Sequence, residues 1–531
     1  MSQQWNADRT AMPYAARRNH WNNHVERHGF AVPDRPAFRF QGRTTTWAQL
    51  AERVRALADA MSRRGVSAGD RVAVLTGNRP EFMETVLAAN RLGAIAVPVN
   101  FRLTGPEAAY ILENSGARLL VVDDVTAAVG RDAVTLASEP LPVVVVDGPG
   151  WSGTERYESL MTESGPPAAP VDVPEDTPAL IVYTSGTTGR PKGAVLTHQN
   201  LQGQALTIIR AFQLTGEGEV NLVAAPMFHI GAIGSIVPLI LIGGTLVVLP
   251  SGAFDAGQVL GLLERERITS VFLVPTQWQA LCTDPSVADR DLSALHVTSW
   301  GAAPASDTLL RRMAEVFPGA LNVAVFGQTE MSPVTCVLEG RDALRKLGSV
   351  GRLVPTVAAR VVDGEMNDVP PGTVGEIVYR GPTLMAGYWR NPDATAEAFA
   401  GGWFHSGDLV RVDEEGFVHV VDRAKDMIIS GGENVYCAEV ENVLEGHPAI
   451  REVSVVGRPH PKWGETPVAV VALHDPAASL DIEELRSWAA RFLARYKLPT
   501  DVILTDALPR NASGKVVKDQ LRQRVGQAPP A

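Results

Sequence analysis

Residues Leu180-Ile181-Val182-Tyr183-Thr184-Ser185-Gly186-Thr187-Thr188-Gly189-Arg190-Pro191-Lys192-Gly193 join a short apolar run to a turn made of glycine and hydroxyl residues. The apolar run reads as a buried strand. In the turn, the hydroxyls of Thr184, Ser185, Thr187 and Thr188 and the backbone N–H groups exposed around three glycines can approach phosphate oxygens. Lys192 adds positive charge. The turn is not a Walker A loop, because Pro191 precedes the lysine and Gly193 follows it, where that loop needs glycine before and serine or threonine after. The segment reads as a phosphate-binding turn on the end of a buried strand.

Outward from it, short apolar runs at 71–75, 119–122 and 143–146 alternate with helical stretches such as 80–92. This rhythm predicts an α/β fold with parallel sheets covered by helices. Residues 255–268 have helical apolar spacing and 271–274 follow as a strand. From about 348 to 421 the texture changes to short strands divided by turns such as Asp363-Gly364 and Glu415-Gly416, which predicts a small β-rich subdomain. A βαβ-like pattern resumes at 438–444, 453–457, 467–473 and 483–493, predicting a compact C-terminal domain.

The chain has 531 residues, enough for several cores, and its net charge of −11 argues against a general nucleic-acid partner. Any anionic ligand must be held by local features. Cys282, Cys336 and Cys437 lack metal-ligand spacing and are odd in number, so no disulfide framework or zinc site is expected. Residues 1–14 do not read as a secretory signal, and a reducing cytoplasm is the expected compartment. Residues 221–254 carry no Asp, Glu, Lys or Arg and exceed the ~20 residues of a spanning helix. Pro226, His229, Pro238 and Gly243-Gly244 interrupt them, so strand, helix and strand is the reading preferred over a membrane span.

The turn at 183–193 resembles the signature loop of the adenylate-forming superfamily, which includes acyl-CoA synthetases, nonribosomal adenylation domains and firefly-type luciferases. Further landmarks follow in that family's order: Ala225 to His229, Gly301-Ala302-Ala303-Pro304, Phe326-Gly327-Gln328-Thr329-Glu330, Ser406-Gly407-Asp408, Asp422 to Asp426, and Pro509 to Lys515. The resemblance covers essentially the whole chain. Its wording at Ser299 to Pro304 and His460 to Glu465 looks most like actinobacterial fatty-acid-CoA ligases.

The resemblance implies an adenylate-forming domain over 1–422 and a small mobile α+β C-terminal domain over 423–531. It assigns ATP to Thr184, Ser185, Gly186, Thr187, Thr188, Lys192, Gly301, Ala302, Phe326, Gly327, Gln328, Thr329, Asp408, Arg423 and Lys515. Thr184 and Glu330 would hold Mg²⁺, a hard ion that prefers oxygen ligands and arrives with substrate phosphates. Phe326 stands where relatives usually carry tyrosine; it keeps a stacking face and lacks the phenol. Asp408 would accept from ribose hydroxyls, and Arg423 would reach the same ribose or the α-phosphate. Lys515 is implied as the adenylation lysine, where charge builds on the departing pyrophosphate. Lys425 would be the hinge, and Gly431 and Gly432 would admit the pantetheine of coenzyme A. His229 would line the acyl pocket near the reacting carboxylate, with Gly231, Ile233, Trp278 and Trp300 around it. Ile233 stands where some long-chain relatives place a gating tryptophan.

These residues together predict an ATP-dependent fatty-acid-CoA ligase that forms an acyl-adenylate and then an acyl-CoA. An aryl-acid-CoA ligase, an enzyme that loads a carrier protein, and, in another class, a membrane-embedded binding or transport component are the alternatives. Peripheral contact with a membrane, a homodimer and acetylation of Lys515 stay open.

Overall fold

The computed structural model describes residues 18–168, 171–184, 190–216, 218–303, 305–431, 433–510 and 516–527. Ser185, Gly186, Thr187, Thr188, Gly432 and Lys515 lie outside the described residues. The chain forms two compact units, one from Met1–Ala358 with Arg380–Phe399 and one from Ala359–Tyr379 with Ala400–Ala531.

The first unit carries two sheets. In an eight-stranded sheet the strand Pro178–Thr184 lies between Ile95–Pro98, its parallel neighbour, and Lys192–Thr197, its antiparallel one. Strands Arg71–Leu75, Leu119–Val122 and Val143–Val145 extend it in parallel, as the alternating pattern predicts. Their side chains are buried on both faces, which accounts for uninterrupted runs such as Leu-Leu-Val-Val rather than an apolar–polar alternation.

In a nine-stranded sheet, Val220–Val223, Ser270–Leu273, Val297–Gly301 and Leu321–Gly327 run parallel as successive neighbours. Their carboxyl ends therefore open on one edge, where parallel sheets offer loops for ligands. The uncharged stretch resolves into the strand Val220–Val223, the helix Ile230–Ile242 and the strand Thr245–Val248. This is the strand, helix and strand preferred over a membrane span, and among the described residues no helix is long and apolar enough to cross a membrane. Gly243 in a left-handed conformation (φ 77°) ends the helix, where a side chain would be strained.

The second unit holds a four-stranded sheet of Ala358–Val362, Gly375–Arg380, Phe404–Val412 and Val418–Arg423, the β-rich subdomain expected from its turns. It also holds a separate sheet in which Ile450–His460 and Gly464–Leu473 form a long hairpin. Here the βαβ-like expectation meets a difference. The three residues between these strands suffice only for an antiparallel return, and the parallel neighbour of Gly464–Leu473 is Asp501–Leu504, reached after the helix Ile482–Ala489. All three cysteines are buried thiols.

Candidate active site

Thr184 and Lys192 face each other across the antiparallel pair that bounds the phosphate-type turn, and the Thr184 hydroxyl donates to the Lys192 carbonyl at 3.4 Å. Two strands thus fix both ends of the turn. Beyond Lys192 the strand runs into the helix His198–Ala211, whose start is closed by reciprocal bonds. The Asn200 amide N–H donates to Thr197 Oγ1 at 3.2 Å, and the Thr197 N–H donates to Asn200 Oδ1 at 2.8 Å.

The same Asn200 reaches outward. Its Nδ2 donates to the carbonyls of Pro382 and Leu384 at 2.7 and 2.9 Å, anchoring the chain that follows. From there Met385 N donates to the Glu330 carbonyl, Ala386 N to Val195 and Trp389 N to Gly193. The segment 385–389 is stitched along the lysine's strand on one side and to the Glu330 turn on the other.

Tyr388 completes this arrangement. Its hydroxyl donates to Glu330 Oε1 at 3.0 Å, and the Lys192 ammonium sits 5.2 Å from the centre of its ring. Glu330 is only 8% exposed, so its carboxylate depends on such partners. Burial and the neighbouring Glu330 charge push the Tyr388 phenol well above its ordinary pKa, which keeps the hydroxyl a donor. A carboxylate oxygen suits a hard divalent ion, and of the two on Glu330 only Oε1 is engaged by Tyr388.

Gly301 and Phe326 end neighbouring parallel strands, with Gly301 paired to Val325. Two glycines here answer to close approach. A Cβ on Gly301 would lie 2.3 Å from the Val325 carbonyl oxygen, and one on Gly327 would lie 1.8 Å from that of Pro333. Ala302 adopts φ 65° and is exposed. Phe326 is half-buried, leaving part of its ring accessible. Gln328 N donates to the Pro333 carbonyl at 2.9 Å, while its buried Nε2 has no partner among the described residues, and Thr329 opens the single turn that carries Glu330.

His229 precedes the helix Ile230–Ile242 at the same sheet edge, half-buried, with the Phe228 ring 4.4 Å away. A Cβ on Gly231 would meet nothing within 4 Å, so the first turn of this helix is open at that position. One turn on, a Cβ on Gly234 would come to 3.0 Å from Pro333 Cδ, so the helix packs closely on the segment after Glu330. Ile233 and Trp278 are fully buried, and Trp300 nearly so. The indole N–H groups of Trp278 and Trp300 donate to the Ser299 carbonyl and to Asn322 Oδ1, each at 2.9 Å. These three belong to the packed interior around the sheet.

In the second unit, Asp408 and Arg423 are paired on adjacent antiparallel strands. Arg423 Nε is 2.8 Å from Asp408 Oδ1, and Nη1 donates to the Ser406 carbonyl at 3.2 Å. The buried carboxylate and the arginine that the sequence suggested for one ribose are thus direct partners. Lys425 is exposed in the turn that follows. Gly431 has φ 62°, donates its N–H to the Trp463 carbonyl at 2.7 Å and lies under that indole, where a Cβ would be 2.9 Å from Cε3.

Residues 25–389 match the family model described as AMP-binding enzyme, and 439–515 match its C-terminal domain. The chain belongs to the AMP-binding enzyme family. It is an adenylate-forming acid–CoA ligase that works with ATP, Mg²⁺ and coenzyme A. This AMP-binding enzyme is 42% identical over 497 residues to a feruloyl-CoA synthase of an Amycolatopsis species, covering 93% of this chain and 96% of the relative. It is 36% identical over 490 residues to the long-chain-fatty-acid–CoA ligase FadD13 of Mycobacterium tuberculosis, covering 91% and 94%. Among solved structures it is similar to o-succinylbenzoate CoA synthetase of Bacillus subtilis in complex with its acyl-adenylate, at TM-score 0.83 and 31% identity. That similarity covers 94% of this chain and 98% of the other.

Sequence reading of this AMP-binding enzyme passed over Tyr388. The signal available was an aromatic pair, Tyr388-Trp389, directly after a glycine and ahead of the helix opened by Asn391-Pro392. Nothing in that local pattern points to Glu330.

Proposed function

We propose that the chain is an aryl-acid–CoA ligase. A carboxylate oxygen attacks the α-phosphorus of ATP and displaces pyrophosphate; the thiol sulfur of coenzyme A then attacks the acyl carbonyl and displaces AMP. The fatty acid expected from the sequence gives way to an aromatic acid as the preferred substrate. The more similar of the two curated relatives is named for feruloyl-CoA, whereas the one named for long-chain fatty acids is less so. The single structural observation that favours this reading is the open space at Gly231, two residues after His229 in the chain, followed one turn later by the close contact of Gly234 with Pro333. Close packing one turn after an open first turn is less suited to a long chain running along this helix than to a short, flat acid.

In this reading Lys192 and the hydroxyls of the turn, Thr184 among them, hold the polyphosphate. Thr184 and Glu330 hold Mg²⁺, which when bound offsets the charge of the phosphates. Phe326 stacks on adenine, and Arg423 fixes the Asp408 carboxylate for the ribose hydroxyls. Gly301, Ala302, Gly327, Gln328 and Thr329 supply backbone around the nucleotide, His229 borders the reacting carboxylate, and Gly431 with Gly432 passes pantetheine. Lys515 attends the departing pyrophosphate. The domain boundary lies at 422/423, with Lys425 as the pivot between the two half-reactions.

The test is CoA-dependent AMP release across hydroxycinnamic, arylacetic and C8 to C16 fatty acids. A kcat/KM at least tenfold higher for an aromatic acid is expected. A fatty acid in first place would return the assignment to a fatty-acid–CoA ligase.

A further inference from the structure

We propose that Tyr388 is a positioning residue for the metal–nucleotide site, presenting Glu330 with one carboxylate oxygen engaged and holding Lys192 over its ring. The inference rests on the reading that Glu330 binds Mg²⁺ and Lys192 binds phosphate. Lys192 belongs to the hairpin of the eight-stranded sheet and Glu330 to the turn after a strand of the nine-stranded one. Among the described residues no backbone pairing joins those two directly. Tyr388 touches both, through its hydroxyl at 3.0 Å from Glu330 Oε1 and its ring at 5.2 Å from the Lys192 ammonium.

The tyrosine is itself held from three sides. Its backbone pairs with Ala194 in the lysine's own strand, its N–H donates to Thr395 Oγ1 at 2.9 Å, and Met385 just ahead of it donates to the Glu330 carbonyl. A side chain fixed this firmly can fix others. A buried carboxylate with one oxygen bonded to a phenol has a set orientation and presents the second oxygen as a ligand, and a cation over an aromatic face is confined without losing its charge. A ring serving only as core packing would need neither contact.

The hydroxyl and the ring are separable. Tyr388→Phe removes the bond to Glu330 and keeps the face under Lys192; Tyr388→Leu removes both. Binding of α,β-methylene-ATP to the full-length enzyme is measured by calorimetry with Mg²⁺ and with EDTA, alongside the half-saturating Mg²⁺ for pyrophosphate exchange. Tyr388→Phe is expected to weaken Mg²⁺-dependent binding by about tenfold, the scale of one lost hydrogen bond to a charged group, and to leave binding in EDTA unchanged. Its half-saturating Mg²⁺ rises, and the exchange rate recovers as Mg²⁺ is raised. Tyr388→Leu weakens binding in EDTA as well.

Glu330→Gln is the parallel control. If it weakens Mg²⁺-dependent binding and Tyr388→Phe does not, the positioning role is overturned and the metal reading of Glu330 stands. If neither changes it, both fall. Thermal melts identify any variant whose loss is a loss of fold, and Tyr388→Phe, with its ring retained, carries the decision.

Discussion

Arg522, on the helix Lys518–Gln527, donates to Asp426 Oδ1 at 2.6 Å and to the carbonyl of Lys425 at 3.3 Å. The Asp426 carbonyl is engaged too, by Cys437 Sγ at 2.9 Å. On the other side of Lys425, Arg423 is tied to Asp408, and Ala424 N donates to the Gly407 carbonyl at 2.9 Å. Exposed Lys425, its own carbonyl bonded by Arg522, therefore lies between two tied ends. A torsional pivot needs this arrangement, because rotation concentrates where the flanking backbone cannot yield.

Arg522→Gln should loosen the downstream end. Asp426 is 12% exposed, and losing its charged partner should cost about 1 to 3 kcal/mol of local stability. Hydrogen exchange should quicken in the amides around 426–437 while the strand Phe404–Val412 stays protected. With Lys425 as the pivot, adenylation and thioester formation should change by unequal factors. Equal factors would separate the clamp from the pivot.

Asn200→Ala should act at a distance. It removes the side-chain half of the reciprocal helix cap, the bond accepted from Thr197 N–H, and both bonds to the chain carrying Tyr388, so a loss of about 2 to 4 kcal/mol is expected from three hydrogen bonds. Urea unfolding checks the stability. A raised half-saturating Mg²⁺ in the same variant would trace the anchoring through to Glu330.

Acid should weaken the first unit through two buried histidines. The rings of His20 and His198 lie 5.0 Å apart, and among the described residues neither His20 Nδ1 nor either His198 nitrogen has a hydrogen-bond partner. Burial holds His20 down to about 4 and His198 to about 3, against the pull of Glu175 and Asp172 on His20 and with the push of Arg18 and Arg91. Both native values lie below the unfolded one, so the unfolded chain takes up protons first. Stability is full above about pH 6.5 and falls by about 1.4 kcal/mol per pH unit for each histidine as pH drops toward 4. Urea midpoints between pH 7 and 4.5 should show this slope, and His198→Gln should flatten it. An unchanged slope in the variant would assign the acid sensitivity to other groups.

Thr184, Lys192 and Glu330 were singled out from the sequence because each lies in a run of consecutive residues, the phosphate-type turn for the first two and the motif that carries the family resemblance for Glu330. The parallel strands were legible because burial on both faces leaves runs of Val, Leu and Ala. Tyr388 was not, since its meaning lies in a partner 58 residues away that only the sheet pairing brings near. In the C-terminal sheet the βαβ-like pattern holds for Gly464–Leu473, Ile482–Ala489 and Asp501–Leu504, while the hairpin that Ile450–His460 forms with Gly464–Leu473 was not legible, for a related reason. Strand patterns specify which residues are buried and leave open which neighbour they pair with, and here the three-residue connection decides it.

Lys515→Ala should abolish acyl-adenylate formation and leave substantial thioester formation from supplied acyl-adenylate. The cause is electrostatic: charge builds on pyrophosphate only in the first step, so a lysine placed for that charge has no counterpart in the second. Pyrophosphate exchange and a CoA assay fed with acyl-adenylate separate the two. Equal loss in both would count against a lysine reserved for one step.

Gly301 and Ala302 should respond in opposite ways to the exchange of a single methyl group. At Gly301 a Cβ would press within 2.3 Å of the Val325 carbonyl oxygen, a backbone atom on the neighbouring strand that cannot swing aside. Gly301→Ala must therefore push the paired strand ends apart at the nucleotide edge, and a fall in melting temperature together with at least a tenfold loss of adenylation is expected. Ala302 holds φ 65°, a left-handed conformation that costs a residue with a Cβ about 1 to 2 kcal/mol. Ala302→Gly relieves that strain but adds freedom to the unfolded chain worth about 0.4 to 1 kcal/mol, so the melting temperature should hold or rise slightly. If Ala302→Gly instead lowers adenylation at full stability, the strained backbone itself is part of how this loop meets the nucleotide.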